Sequence, residues 1–392
     1  MSTENQSGHP DGERPGLGTV LREWGRIGCI GFGGPPAHIR LLRQLCVERK
    51  KWIGPTEFED AIAACNLLPG PASTQLSIYC ASRVRGRMGA LVGGAAFIVP
   101  GLIVILALAA LFLEGSPPRW VLAAGAGAGA AVAAVALQAG TSLVPASWKR
   151  RRSGLRWVLY ALAGAAAAAT IGPWLVLVLL ACGGLELALE TALNHRDGAP
   201  AVAIPLLGAP TIALGGLASL AWVAFKVGAL SYGGGFVIIP LMHSDAVSGY
   251  HWMSDAQFLN AVALGQITPG PVVQTVAVIG YAAAGIPGGI LASLVAFSPS
   301  FLFILIGASR FDRLRGNASA RAFLDGAGPA AIGAILGSAV PLALALTQAW
   351  QFAVLAGAIL LLLPARRGVV TTLLTAAAAG IAGVLAGLPL PQ

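Results

Sequence analysis

Charge is what this chain has least of. Of its 392 residues only 10% are Asp, Glu, Lys or Arg, against 56% that are hydrophobic. A soluble domain carries about a quarter charged residues, so an ordinary soluble fold is excluded. Stretches such as 90–113, 157–171 and 368–388 hold almost no charge, and a bilayer core takes about 20 apolar residues per helix. An Ala-rich soluble bundle would need a polar face on each helix, and these segments have none. Cysteine is also scarce. Cys29, Cys46, Cys65, Cys80 and Cys182 show no CxxC spacing and sit in or beside apolar segments, so they read as small core residues rather than metal ligands. There is no HExxH, GxSxG or close His/Cys cluster, which argues against an intramembrane enzyme and implies no cofactor or metal. A Walker-type GxxxxGK[ST] is missing too, so ATP drive is not encoded here. The first 16 residues are polar and do not read as a cleaved signal peptide, so the first span is expected to act as its own insertion signal.

What is present is an all-α polytopic membrane protein whose apolar segments are rich in Ala, Gly and Leu, the small residues that let membrane helices approach closely. The net charge of +9 does not indicate nucleic acid, because the basic residues lie in short clusters between apolar segments. That is the pattern of cytoplasmic loops.

The chain repeats itself at an offset of 200. Gly28, Gly33 and Gly34 match Gly228, Gly233 and Gly234; Trp52 matches Trp252; Phe58 matches Phe258. Pro69, Gly70 and Pro71 match Pro269, Gly270 and Pro271, and Gly89, Phe97 and Leu102 match Gly289, Phe297 and Leu302. This divides the chain into a polar tail (1–16), a first repeat (17–192), a linker (193–212) and a second repeat (213–392). The loop at 40–51 holds Arg40, Arg43, Arg49, Lys50 and Lys51, whereas its counterpart at 241–255 has no Lys or Arg. If basic loops stay inside, the repeats are inverted. Five spans per half fit that inversion: near 17–37, 88–113, 119–145, 156–171 and 174–192, then 213–239, 288–309, 321–346, 350–364 and 368–388.

Residues 56–84 and 256–284 fall between these spans. Each contains a Pro-Gly-Pro, and arms of about 20 Å at 1.5 Å per residue are too short to cross a core of about 30 Å. They read as re-entrant hairpins entering from opposite sides, with their turns meeting near the midplane. Proline suits the first helical position, so Pro71 and Pro271 begin new helices. Their leading amides, near Ala72–Thr74 and Val272–Gln274, lack helical partners and carry the positive end of the helix dipole. Discontinuous helices at a repeat interface are a known way to build a substrate site.

The candidate binding residues are therefore Asn66, Pro69, Gly70, Pro71, Ser73, Thr74 and Gln75 on one side. On the other they are Gln266, Pro269, Gly270, Pro271 and Gln274. Gly33 and Gly34, with Gly233 and Gly234, add a second break per half, where close backbone approach or tight helix packing would each use glycine. Arg26 and Lys226 lie symmetrically before those glycines. Two cations would suit a small dianion, though each could instead snorkel or pair locally. Proton-coupling candidates are Glu23, His38, Asp60 and Asp325, against a reading as interfacial caps or arginine partners.

At "GFGGPPAHI" (31–39), "NLLPGPASTQ" (66–75), "SYGGGFVIIPL" (231–241) and "GQITPGP" (265–271) the chain resembles the chromate ion transporter family in its long two-domain form. The resemblance spans nearly the whole chain. It implies a multi-pass protein of the inner (plasma) membrane that carries chromate, outward, and confers chromate resistance, with sulfate as the expected competitor. The paired prolines Pro35 and Pro36 depart from the single proline of the family pattern. Independently of the resemblance, the residues read as a secondary transporter for an oxyanion. Uptake of sulfate or another oxyanion, or an anion channel, stays open at this stage. So do the coupling ion and a homodimer.

Overall fold

The computed structural model describes residues 15–68, 70–113, 117–170, 175–193, 216–231, 237–307 and 317–391. Pro69, Gly233, Gly234 and residues 194–212 of the expected linker lie outside them. Among the described residues every regular element is helical.

The first helix, α1 (Leu17–Ile30), stops at Gly31, and α2 (Pro35–Arg43) restarts the chain. The expected span at 17–37 is thus a broken helix. Pro35 and Pro36 occupy the first turn of α2, where a missing N–H leaves no helical bond unmade. A π-helical turn over Gln44–Arg49 leads to α3 (Pro55–Leu67). After the Pro-Gly-Pro turn comes α4 (Ala72–Leu113), which bends at Arg85 and Gly86. The bend separates a short arm, 72–84, from a long segment, 87–113. Then follow α5 (Arg119–Ala130), α6 (Val132–Arg150), α7 (Gly154–Thr170) and α8 (Leu175–Leu193). The expected span at 119–145 is a pair of helices stacked end to end through Ala131.

The second region follows the same course. It comprises α9 (Leu217–Leu230), α10 (Ile239–His243) with a π-helical turn over Ser244–Gly249, and α11 (Asp255–Ile267). A 3-10 turn over Val272–Gln274 opens α12 (Thr275–Gly307). The chain ends with α13 (Ala318–Gly337), α14 (Ala339–Leu344), α15 (Ala349–Leu362) and α16 (Val369–Leu385). Several boundaries recur at an offset of 200: Leu17 and Leu217, Ile30 and Leu230, Gln44 and Ser244, Leu67 and Ile267. Lys51 and His251 share a positive φ. The bends agree as well, with Gly86 at φ 63°, ψ −154° and Gly285 at φ 62°, ψ −155°.

Among the described residues five stretches are long and apolar enough to cross a bilayer: Ala72–Leu113, Arg119–Arg150, Leu175–Ala192, Val272–Gly307 and Ala318–Leu344. Their outer faces carry exposed Ile103, Leu294, Leu302 and Ile306, as lipid contact requires. The protein is an all-α, multi-pass membrane protein. Its interior is packed through small residues. A Cβ on Gly28 would lie 2.7 Å from the Phe97 carbonyl oxygen, and one on Gly228 would collide with the Ala296 carbonyl. These contacts press α1 onto α4 and α9 onto α12. Trp24 Nε1 donates to the Ser77 carbonyl at 2.9 Å, tying α1 to the short arm of α4. Phe58, Phe97 and Phe258 are fully buried, and Phe297 nearly so.

Candidate functional site: two opposed turns

Both Pro-Gly-Pro turns need glycine for the same reason. Gly70 has φ +115° and Gly270 φ +93°, a region that L side chains rarely enter. On either side of them one helix ends, at Leu67 and at Ile267, and helical structure restarts, at Ala72 and at Val272. In α4 the first carbonyl of the helical ladder is that of Pro71, which accepts from the amides of Thr74 and Gln75 at 2.9 and 3.0 Å. The amides of Ala72 and Ser73 precede the ladder and have no acceptor within it.

Each turn rests on elements of the other region. A Cβ on Gly70 would lie 3.3 Å from Ser300 Oγ on α12 and 3.4 Å from the Gly228 carbonyl on α9. Gly270 donates its amide to the Gly31 carbonyl at 3.1 Å. The Pro269 carbonyl lies against Gly101 on α4, and a Cβ on Gly34 would lie 3.5 Å from the Val272 side chain. Gly101 stands about 20 Å from either end of the segment 87–113 at 1.5 Å per residue. The second turn therefore sits about halfway along a membrane-crossing helix.

The surroundings are polar but incompletely bonded. Thr74 Oγ1, Ser231 Oγ, Gln266 Nε2, Gln274 Oε1 and Ser300 Oγ are buried without a hydrogen-bond partner among the described residues. Leaving such a group bare costs about 1–3 kcal/mol, and folded proteins keep few of them. Here they belong to the turns, the helices that flank them or the elements the turns rest on. Gln274 Nε2 is held by Ser293 Oγ at 3.2 Å.

The other sequence candidates take different positions. Ser73, Thr74 and Gln75 are buried in the first turn of α4, whereas Asn66, at the end of α3, is exposed. Gly34 is buried and Gly33 exposed. His38 is fully buried, bonded to Ser73 Oγ at 3.1 Å and to the Gly31 carbonyl at 2.9 Å. Lys226 Nζ contacts both carboxylate oxygens of Asp245, at 2.7 and 3.0 Å. Burial raises the Asp245 pKa, and the ammonium beside it pulls the other way. Arg26 is exposed on α1 and forms no ion pair among the described residues. Glu23 is buried on α1 and Asp60 half-buried on α3. Asp325 is elsewhere, paired with Arg152 at 3.2 Å.

Ser231, Ser293 and Ser300 were not among the candidates. Ser300 had a faint signal, a hydroxyl two residues after Ser298 within an otherwise apolar span. Its counterpart at the offset is Pro100, so the repeat did not single it out. Among the described residues no group of three His, Cys, Asp or Glu is arranged to hold a metal.

Two interrupted helices, each with its turn packed on elements of the other region inside a bundle of membrane-crossing helices, are an arrangement of the transporter class. The chain belongs to the chromate transporter family, whose model matches it twice, over residues 18–186 and 218–384. It is 33% identical to a chromate transport protein of Cupriavidus metallidurans over 328 residues, covering 81% of this chain and 80% of that one. It is 32% identical to a chromate transport protein of Pseudomonas aeruginosa over 340 residues, with 81% and 79% covered. No solved structure matches the chain.

Proposed function

We propose that this protein is a secondary transporter of chromate, which it binds between the two Pro-Gly-Pro turns and exports by alternating access. One observation carries the reading: turns 200 residues apart each dock on the other region deep in the bundle, among buried polar atoms that lack partners. A tetrahedral oxyanion offers acceptors on every side, which suits the leading amides of α4, those of Ala72 and Ser73, and the hydroxyls of Thr74, Ser231 and Ser300. The relatives named as chromate transport proteins supply the identity of the oxyanion.

In this scheme the two regions are oppositely oriented, and one rocks against the other around the turns. The drive is an ion gradient or exchange. The immediate ligands are neutral, because the Lys226 charge is engaged by Asp245. Donors of this kind select weakly between chromate and sulfate, two dianions of similar shape, so sulfate competes.

The test is chromate flux in proteoliposomes reconstituted with the purified protein. Saturable uptake that excess sulfate inhibits is the expected result. Flux that does not saturate would indicate a channel, and the absence of sulfate competition would overturn the shared oxyanion site.

A further inference from the structure

His38 uses both ring nitrogens, one on the break after α1 and the other on the start of α4. A carbonyl can only accept, so Nε2 carries the proton and donates to Gly31 at 2.9 Å. Nδ1 then keeps its lone pair and takes the hydroxyl proton of Ser73, 3.1 Å away on the first turn of α4. The Gly31 carbonyl has a second donor, the amide of Gly270 at 3.1 Å. One continuous chain of hydrogen bonds thus runs from Ser73 through His38 and Gly31 to Gly270. It joins the helix start behind one Pro-Gly-Pro to the glycine at the centre of the other. The ring is locked edge-on against Phe97, centroids 5.0 Å apart at 90°, and Phe97 also supplies the carbonyl that faces Gly270. The bridge is one-sided, since Ile238 stands at the matching position of the second region and cannot hydrogen-bond.

We propose that His38 is a positioning residue that sets the separation of the two turns and hence the width of the anion site between them. The inference rests on the turns being that site. A residue that only filled space would be replaced well by another ring of similar size. A bridge requires the donor to Gly31 and the acceptor for Ser73.

Two arms test it on the full-length protein. The first uses nitrogen NMR of the histidine-labelled chain without substrate, with His38→Gln to assign the signal. A protonated Nε2 and an unprotonated, hydrogen-bonded Nδ1 are expected; the opposite tautomer overturns the bridge. The second measures chromate affinity. His38→Phe, which keeps the ring and removes both nitrogens, is expected to weaken binding about tenfold or more, the usual effect of stranding buried partners. His38→Gln restores the donor to Gly31 and should recover most of the loss. Ser73→Ala should weaken binding alone but add little to His38→Phe. Unchanged affinity in His38→Phe, or independent multiplying effects of the two substitutions, overturns the proposal. If His38→Phe does not accumulate, Ser73→Ala decides, and wild-type affinity there is the overturning result. Failure of the unaltered protein to bind chromate would overturn the transport reading instead, while the NMR arm still judges the bridge.

Discussion

Gly70 and Gly270 share a left-handed backbone but not a setting. A Cβ on Gly270 would find its nearest neighbour 3.7 Å away, so alanine there has room and bears only backbone strain, about 1–3 kcal/mol. At Gly70 the same Cβ would displace the end of the buried Gln75 side chain and crowd Ser300 Oγ at 3.3 Å and the Gly228 carbonyl at 3.4 Å, adding crowding to the strain. Gly70→Ala should therefore lower the melting temperature of the detergent-solubilised protein more than Gly270→Ala does. The reverse order would mean that the first turn is more open than its geometry indicates. The Lys226–Asp245 pair allows a second test at this scale. Lys226 and Asp245 are both largely shielded, with side chains 15% and 5% exposed, and removing one partner of a buried pair costs roughly 3–5 kcal/mol. Lys226→Met and Asp245→Leu should each destabilise the protein, and the double variant should regain most of the loss. The first region already has Leu45 where the second has Asp245. If the double variant is stable yet fails to bind chromate, Lys226 serves the anion directly; if it binds, the lysine is a strut.

At the scale of elements, contact between the hairpins depends on small residues in the long helices. Any side chain at Gly101 would meet the Pro269 carbonyl, whereas Gly184 on α8 has nothing within 4 Å. Overpacking such a contact costs about 1–3 kcal/mol. Gly101→Val should push the second turn off α4 and cut chromate flux at least several-fold, with Gly184→Ala close to wild type. Equal flux in both would show that the turn need not touch α4. The helix breaks at the two turns were legible in the sequence because the chemistry of Pro-Gly-Pro is local: it must end a helix wherever it stands. The apolar helices were legible because lipid excludes charge. The partners of each turn were not. Ser300, Gly228 and Gly101 reach the turns through tertiary packing between segments more than 150 residues apart, which no local period encodes. Nor was the partner of Lys226, because Asp245 lies 19 residues on, beyond the helix break. The break in the first span was legible in its glycine run, though not the position of the stop, at Gly31.

At the scale of the whole molecule, the two regions are joined by more than their turns. Arg152, between α6 and α7, pairs with Glu190 on α8 and with Asp325 on α13. Beside it, Glu186 accepts the Tyr160 hydroxyl at 2.8 Å and pairs with Arg156 at 3.0 Å. The arginines of this ionic patch belong to a basic stretch, 149–156, whose expected place is the inner side. The scheme stands or falls on whether the regions are oppositely oriented, and the matched π-helical turns give a direct way to ask. Glu48 and Ser248 are both exposed and occupy corresponding positions in those turns. Of the five cysteines only Cys29 is exposed, so a Cys29→Ser background removes the accessible native thiol. In that background Glu48→Cys should react with a membrane-impermeant maleimide only when the inner face is opened, and Ser248→Cys should react on intact cells. Opposite sidedness would place the two hairpins at opposite mouths, so that each turn reaches the centre from its own side and rocking exposes the site to one face at a time. Labelling from the same face would make the regions parallel. Two parallel hairpins of about 20 Å each would leave the other half of the bilayer without a turn, and alternating access around their meeting point would then have no second mouth.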